Sequence, residues 1–139
     1  MAMTATPERT RLKFVDFDFS ILPSGRCRSR VVLEWKEGVS YEGAAEGIGS
    51  QTGELRCAAE ATVEALEQAV DGKVKLELLG VKAVRAFDAV VVIVSLSCHN
   101  GSAQRVVGSY LSEDELPRGA ALAVLNATNR LLGNIVFTR

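Results

Sequence analysis

The chain repeats itself at a spacing of 62 residues. Sliding one half over the other places Leu12 on Val74, Phe19 on Val81, Val31 on Ile93, Glu54 on Leu116 and Val70 on Leu132. The turn glycines Gly38 and Gly101 are 63 apart, which a one-residue difference in hairpin length explains. A period of this length marks a duplicated supersecondary unit, and each half reads as strands followed by one helix. Such a unit is too small to bury its apolar face alone, so two of them must share a core.

In the first unit, residues 12–72, the alternating run from Leu12 to Phe19 predicts a strand with one buried face. A turn at Pro23-Ser24-Gly25 leads to a second strand from Arg28 to Lys36, and Glu37-Gly38 reverses into a third from Val39 to Gly47. A helix is expected from Glu54 to Val70, with Leu55, Ala58, Ala59, Thr62, Ala65, Leu66 and Ala69 inward and Asp71-Gly72 ending it.

The second unit, residues 73–133, repeats this order. It has a strand from Lys73 to Val84 bent at Gly80, an apolar strand from Asp88 to Ser97, an Asn100-Gly101 hairpin and a strand from Ala103 to Leu111. The closing helix is expected from Ser112, as N-cap, to Leu132. Asp114 and Glu115 stand in its first turn, Pro117 where a missing N–H costs nothing, and Gly133 at its C-cap. The expected fold is α+β, two tandem βββα repeats whose antiparallel sheets pack with two helices. Residues 12–139 form one domain, and 1–11 a flexible arm. With 139 residues, 47% of them hydrophobic, the chain can bury a real core.

Sixteen Lys and Arg against seventeen Asp and Glu leave a net charge of −1, so the electrostatic argument for a nucleic-acid partner is lacking. Arg26, Arg28 and Arg30 alternate along a strand and read as a solvated face. Cys27, Cys57 and Cys98 are odd in number, without CxxC spacing, which suits a reducing cytoplasm. The longest apolar run, Ala89 to Val94, is far short of the roughly 20 residues a membrane span needs, so a soluble protein without membrane contact is expected. That run is apolar on both alternating faces. One face can take the chain's own helices and the other a second subunit, giving a homodimer; the alternative is burial twice within one monomer.

No catalytic or metal-binding motif stands out, and no cofactor is implied. His99, the one histidine, follows Cys98, but neighbours on a strand point to opposite faces. Gly47-Ile48-Gly49 with Gly53 reads as a strand-to-helix connection rather than a phosphate cradle, because the GxxxxGK pattern is missing. Asn126 and Asn129 lie three apart on the apolar closing helix. They either hydrogen-bond across an interface or edge a ligand pocket.

The second unit carries Asp88-Ala89 before an apolar strand, Gly108, Ser112, Asp114, Ala120-Ala121 and Leu125-Asn126-Ala127-x-Asn129-Arg130-Leu131. The first carries Glu46-Gly47-x-Gly49 and an alanine-rich helix. Together these resemble the C-terminal regulatory domain of 2-isopropylmalate synthase and citramalate synthase, a duplicated βββα unit that dimerises and binds the end-product amino acid. The chain departs from that family at Gly47-Ile48-Gly49-Ser50-Gln51, where the family has a GxGP turn, and at Ala86-Phe87, where it often has two glycines. The synthases' catalytic barrel has no counterpart here, so no acyl transfer is implied.

The resemblance implies a non-catalytic, homodimeric regulatory domain that senses a small amino acid or 2-oxo acid. A ligand-free module holding another protein is the alternative. The loops Gly47 to Gly53 and Gly108 to Asp114 each lead into a helix N-terminus, where free N–H groups stabilise a carboxylate. The expected ligand-binding residues are Gly47, Gly49, Gly108, Ser112, Asp114 and Asn126.

Overall fold

The computed structural model describes residues 12–35, 38–99, 101–113 and 115–131. The arm 1–11, Asp114, Asn100 with its hairpin role, Leu132 and the expected cap Gly133 lie outside the described residues. The order is β1 (Lys13–Ile21), β2 (Arg26–Glu34), β3 (Ser40–Ile48), α1 (Gln51–Ala69), β4 (Lys75–Ala86), β5 (Ala89–His99), β6 (Ala103–Ser112) and α2 (Leu116–Leu131). Two antiparallel three-stranded sheets result, β1-β2-β3 and β4-β5-β6. The fold is α+β.

Each helix lies on its own sheet, α1 on β2 and β3 and α2 on β5 and β6, and the helices pack against each other between them. Alanines make this approach possible. Ala58, Ala59, Ala61, Ala65, Ala120, Ala121, Ala123 and Ala127 are buried, and Leu33, Leu66, Leu96 and Leu125 fill the space around them. The inward stripe expected for α1 is buried throughout. In α2 the six consecutive residues Ala120–Leu125 are buried, more than one face, because sheet and α1 cover it from two sides. Thr62 and Thr128 are buried too, and their hydroxyls donate to the carbonyls of Ala58 and Val124 one turn back.

The duplication extends to irregularities, though not at one constant spacing. Both first strands carry a bulge, between Phe14 and Asp16 and between Leu78 and Gly80, so Val15 matches Leu79 at a separation of 64. Gly43 faces Val31 as Gly108 faces Val94, separations of 65 and 63, while the helices keep 62. The strands thus depart from the single offset of 62, because hairpin lengths differ and α1 begins three residues earlier in its unit than α2.

Two helix starts differ from the expected ones. Ser50, in extended conformation, caps α1 and accepts the Gly53 N–H at 3.1 Å, so the helix starts at Gln51 rather than Glu54. Ser112 is the last residue of β6, paired with Val90, and caps nothing. Its hydroxyl donates to the Glu115 carbonyl at 3.2 Å, and α2 has no acidic residue in its first turn.

The β4–β5 hairpin turns on Phe87 and Asp88, with φ of 53° and 62°. Two positive φ values in a two-residue loop mark a type I′ turn, which favours Asn-Gly. Phe87 is 99% exposed, so no burial offsets its conformation. Replacing Phe87-Asp88 by Asn-Gly is expected to raise stability by about 1 kcal/mol in urea unfolding.

Candidate functional site

The two units are not equally closed. In β4, Leu76 and Leu78 are buried, and α1 runs alongside, with Arg56 donating to the Leu78 carbonyl at 3.4 Å and Glu67 accepting the Leu76 N–H at 2.8 Å. Of β1, the equivalent strand, no residue from Lys13 to Ile21 is buried. The strand expected to have a buried face is therefore only half covered. Its inward Phe14 and Phe17 stand over a gap instead of a helix.

That gap is a cleft of about 710 Å³ between β1 and the β6–α2 junction. Phe14, Val15, Asp16 and Phe17 line one wall, and Tyr110, Leu111, Ser112, Glu113, Glu115, Arg118 and Gly119 the other. The Arg118 guanidinium carbon lies 5.2 Å from the centre of the Phe14 ring, a cation–π contact across the opening. Phe14 and Phe17 pack at 6.2 Å between ring centres. The cleft thus offers one cation, the carboxylates of Glu113 and Glu115, and an aromatic floor, while the Asp16 carboxylate turns to Arg30 on the outer face. A second hollow, of about 480 Å³ and sharing Phe17 and Glu115, continues it along Phe19 and Pro117.

The residues singled out in the sequence are only partly gathered here. Ser112 lines the cleft, and Asp114 lies outside the described residues. Gly108 is buried beneath α2, where a Cβ would overlap Ala123 and Ala127. Asn126 donates to the Ser109 carbonyl at 2.8 Å, tying α2 to β6. Gly47 lines a separate hollow of about 330 Å³ beside Arg56, Cys57 and Glu60. Gly49 abuts the Gly25 carbonyl and Gly53 that of Ile48, so the glycine run is a close-packed joint. Sequence reasoning missed Phe14, Phe17, Tyr110 and Arg118. No sequence signal marks them, because β1 and β4 read alike and differ only in how the helices cover them.

Cys98 points inward and is buried while His99 points outward, its Nε2 3.1 Å from the Ser97 hydroxyl, so the two never meet. Among the described residues no three His, Cys, Asp or Glu side chains are placed to hold a metal ion. No helix among them is long and apolar enough to cross a membrane. On the outer face of the first sheet Arg30 bonds Asp16, Asp18 and Glu42, a surface ion-pair network.

Cys57, buried beside Cys27, donates to the Ala45 carbonyl at 3.1 Å. Desolvation, reinforced by the Cys27 thiol, pushes its pKa from 9.0 up to about 11. Below pH 9.0 the folded and unfolded chains both keep this proton, whereas between 9.0 and about 11 only the unfolded chain ionises. Stability is therefore expected to fall across that window, and Cys57→Ala to flatten the fall in urea titrations at stepped pH.

Compared with models of known protein families and with curated proteins, the chain matches none of them.

Proposed function

We propose that the chain is a non-catalytic regulatory domain, akin to the amino-acid-sensing domain of 2-isopropylmalate synthase, that acts as a homodimer and binds a small apolar amino acid in the β1–α2 cleft. The observation that supports this reading is Arg118 standing beside Glu113 and Glu115 over an aromatic floor. The guanidinium pairs with the ligand carboxylate, Glu113 or Glu115 takes its ammonium, and Phe14 and Phe17 hold the side chain. Two carboxylates beside one guanidinium disfavour a 2-oxo acid, which brings only negative charge.

A thermal-shift screen against the amino acids and branched 2-oxo acids tests it. A ligand at a hundredfold excess over its dissociation constant adds about 2.7 kcal/mol, a shift of several degrees. Apolar amino acids should raise the melting temperature and their 2-oxo counterparts leave it unchanged. One melting temperature for every compound removes the sensor reading and leaves a ligand-free interaction module, which the apolar outer face of the second sheet favours.

A further inference from the structure

The duplication gives the molecule two equivalent outer sheet faces, and they differ in chemistry. On the first sheet Arg28, Arg30 and Glu34 of the central strand face outward beside Asp18, Glu42 and Glu46. On the second, the central strand β5 presents Val91 and Ile93. Val91 lies between Val84 and Leu111, which are 36% and 53% exposed; one row on, Ile93 lies between Lys82 and Ser109, and Val107, 48% exposed, stands a further row on beside Ser95. The apolar side chains cluster toward the β4–β5 turn, where the row Val84, Val91, Leu111 is apolar across all three strands. Toward the other end a row reads Glu77, Ser97, Arg105 across the three strands, so two strand spacings, about 9.6 Å, separate the acid from the base.

From this charge arrangement we infer that a second copy of the chain covers the face, related by a two-fold axis running along β5. Rotation about such an axis lays β5 on β5 in the same direction and β4 of one copy over β6 of the other. Val84 then meets the second copy's Leu111, Ile93 meets its own equivalent, and Glu77 meets Arg105 twice. A two-fold running across the strands would instead lay β4 on β4, so Glu77 could not meet Arg105, and through the middle of the face at Ser95 it would set Val91 near His99, apolar against polar. The outward face of the first sheet carries charge in every row, its Val32 standing between Asp16 and Glu42, and has no comparable apolar row.

The face measures about 14 by 37 Å, so a pair buries on the order of 1,000 Å², the lower bound for a specific interface. An interface at that lower bound suits weak association, and the dimer is expected to dissociate in the micromolar range. This inference deepens the homodimer part of the proposed function and is independent of whether the cleft takes a ligand.

Solution mass against concentration tests it on the whole chain, with circular dichroism confirming the fold of each variant. Wild type should be dimeric at about 100 μM, and Ile93→Asp monomeric there. Glu77→Arg and Arg105→Glu should each weaken association at least about tenfold, and the double exchange restore it to within about threefold of wild type. A wild type that stays monomeric, an Ile93→Asp variant that still dimerises, or a double exchange no better than either single one overturns the interface. The same variants screened for an amino-acid thermal shift report on the cleft separately.

Discussion

Replacing Gly108 by valine should leave no folded protein, and replacing Gly43 should do the same. Each glycine sits in a third strand where a helix crosses it, and each faces a valine of the central strand that is itself buried. A Cβ on Gly43 would overlap the Ala61 carbonyl oxygen and the Ala65 nitrogen; one on Gly108 would overlap those of Ala123 and Ala127. These are backbone atoms of long helices, which no side-chain rotation can move aside. Relief requires lifting the whole helix from its sheet, opening contacts along an alanine seam that works only at close range. Even Gly43→Ala or Gly108→Ala should cost about 3 kcal/mol or more in urea unfolding. Gly80→Ala provides the control: nothing lies within 4 Å of a Cβ there, and its effect should stay within about 0.5 kcal/mol.

Arg118→Ala should weaken amino-acid binding roughly 30-fold, the loss of about 2 kcal/mol from one charge-assisted carboxylate contact. Stability should change little, because an exposed cation–π contact such as that with Phe14 contributes about 0.5–1 kcal/mol. Arg118→Lys should recover only part of the affinity, since an ammonium lacks the planar fork that grips a carboxylate bidentately. Arg56 is the matching control. It stands 62 residues earlier on α1, but spends its side chain on the Leu78 carbonyl and on Glu60 at 3.3 Å. Arg56→Ala should leave affinity at wild-type level; calorimetric titration of the three variants reads all of these outcomes.

The architecture was legible because it rests on periodicity. Alternation in β1, the continuous apolar run of β5, the three-and-four spacing of Leu55, Ala58, Thr62 and Ala65, and the repeat itself are local signals that tertiary structure had only to accept. The bend anticipated at Gly80 is the β4 bulge, one residue away. Misreadings arose where one residue suits two roles. Ser112, followed by acids and a proline, has every mark of an N-cap, yet pairing with Val90 keeps it in the strand. Ser50 was passed over because Gly53, a poor helix former, stands in the first turn it caps.

The cleft was not legible at all. Phe14 and Arg118 lie at opposite ends of the sequence and meet only because α2 reaches back to the first strand of the other unit. That β1 is only half covered while Leu76 and Leu78 of β4 are buried is a difference in packing, and the strands themselves read alike. Gly108 illustrates the converse. A glycine before a helix suggested a ligand loop, whereas its reason is the helix backbone lying on it.

The most direct measurement is a titration of isotope-labelled protein with L-leucine, following each backbone amide by nuclear magnetic resonance. Shifts concentrated at Phe14, Phe17, Tyr110, Glu113, Arg118 and Gly119 are the expected result. Amides that all stay in place at saturating amino acid, or movement confined to Gly47–Gly53, would contradict an effector site between β1 and α2.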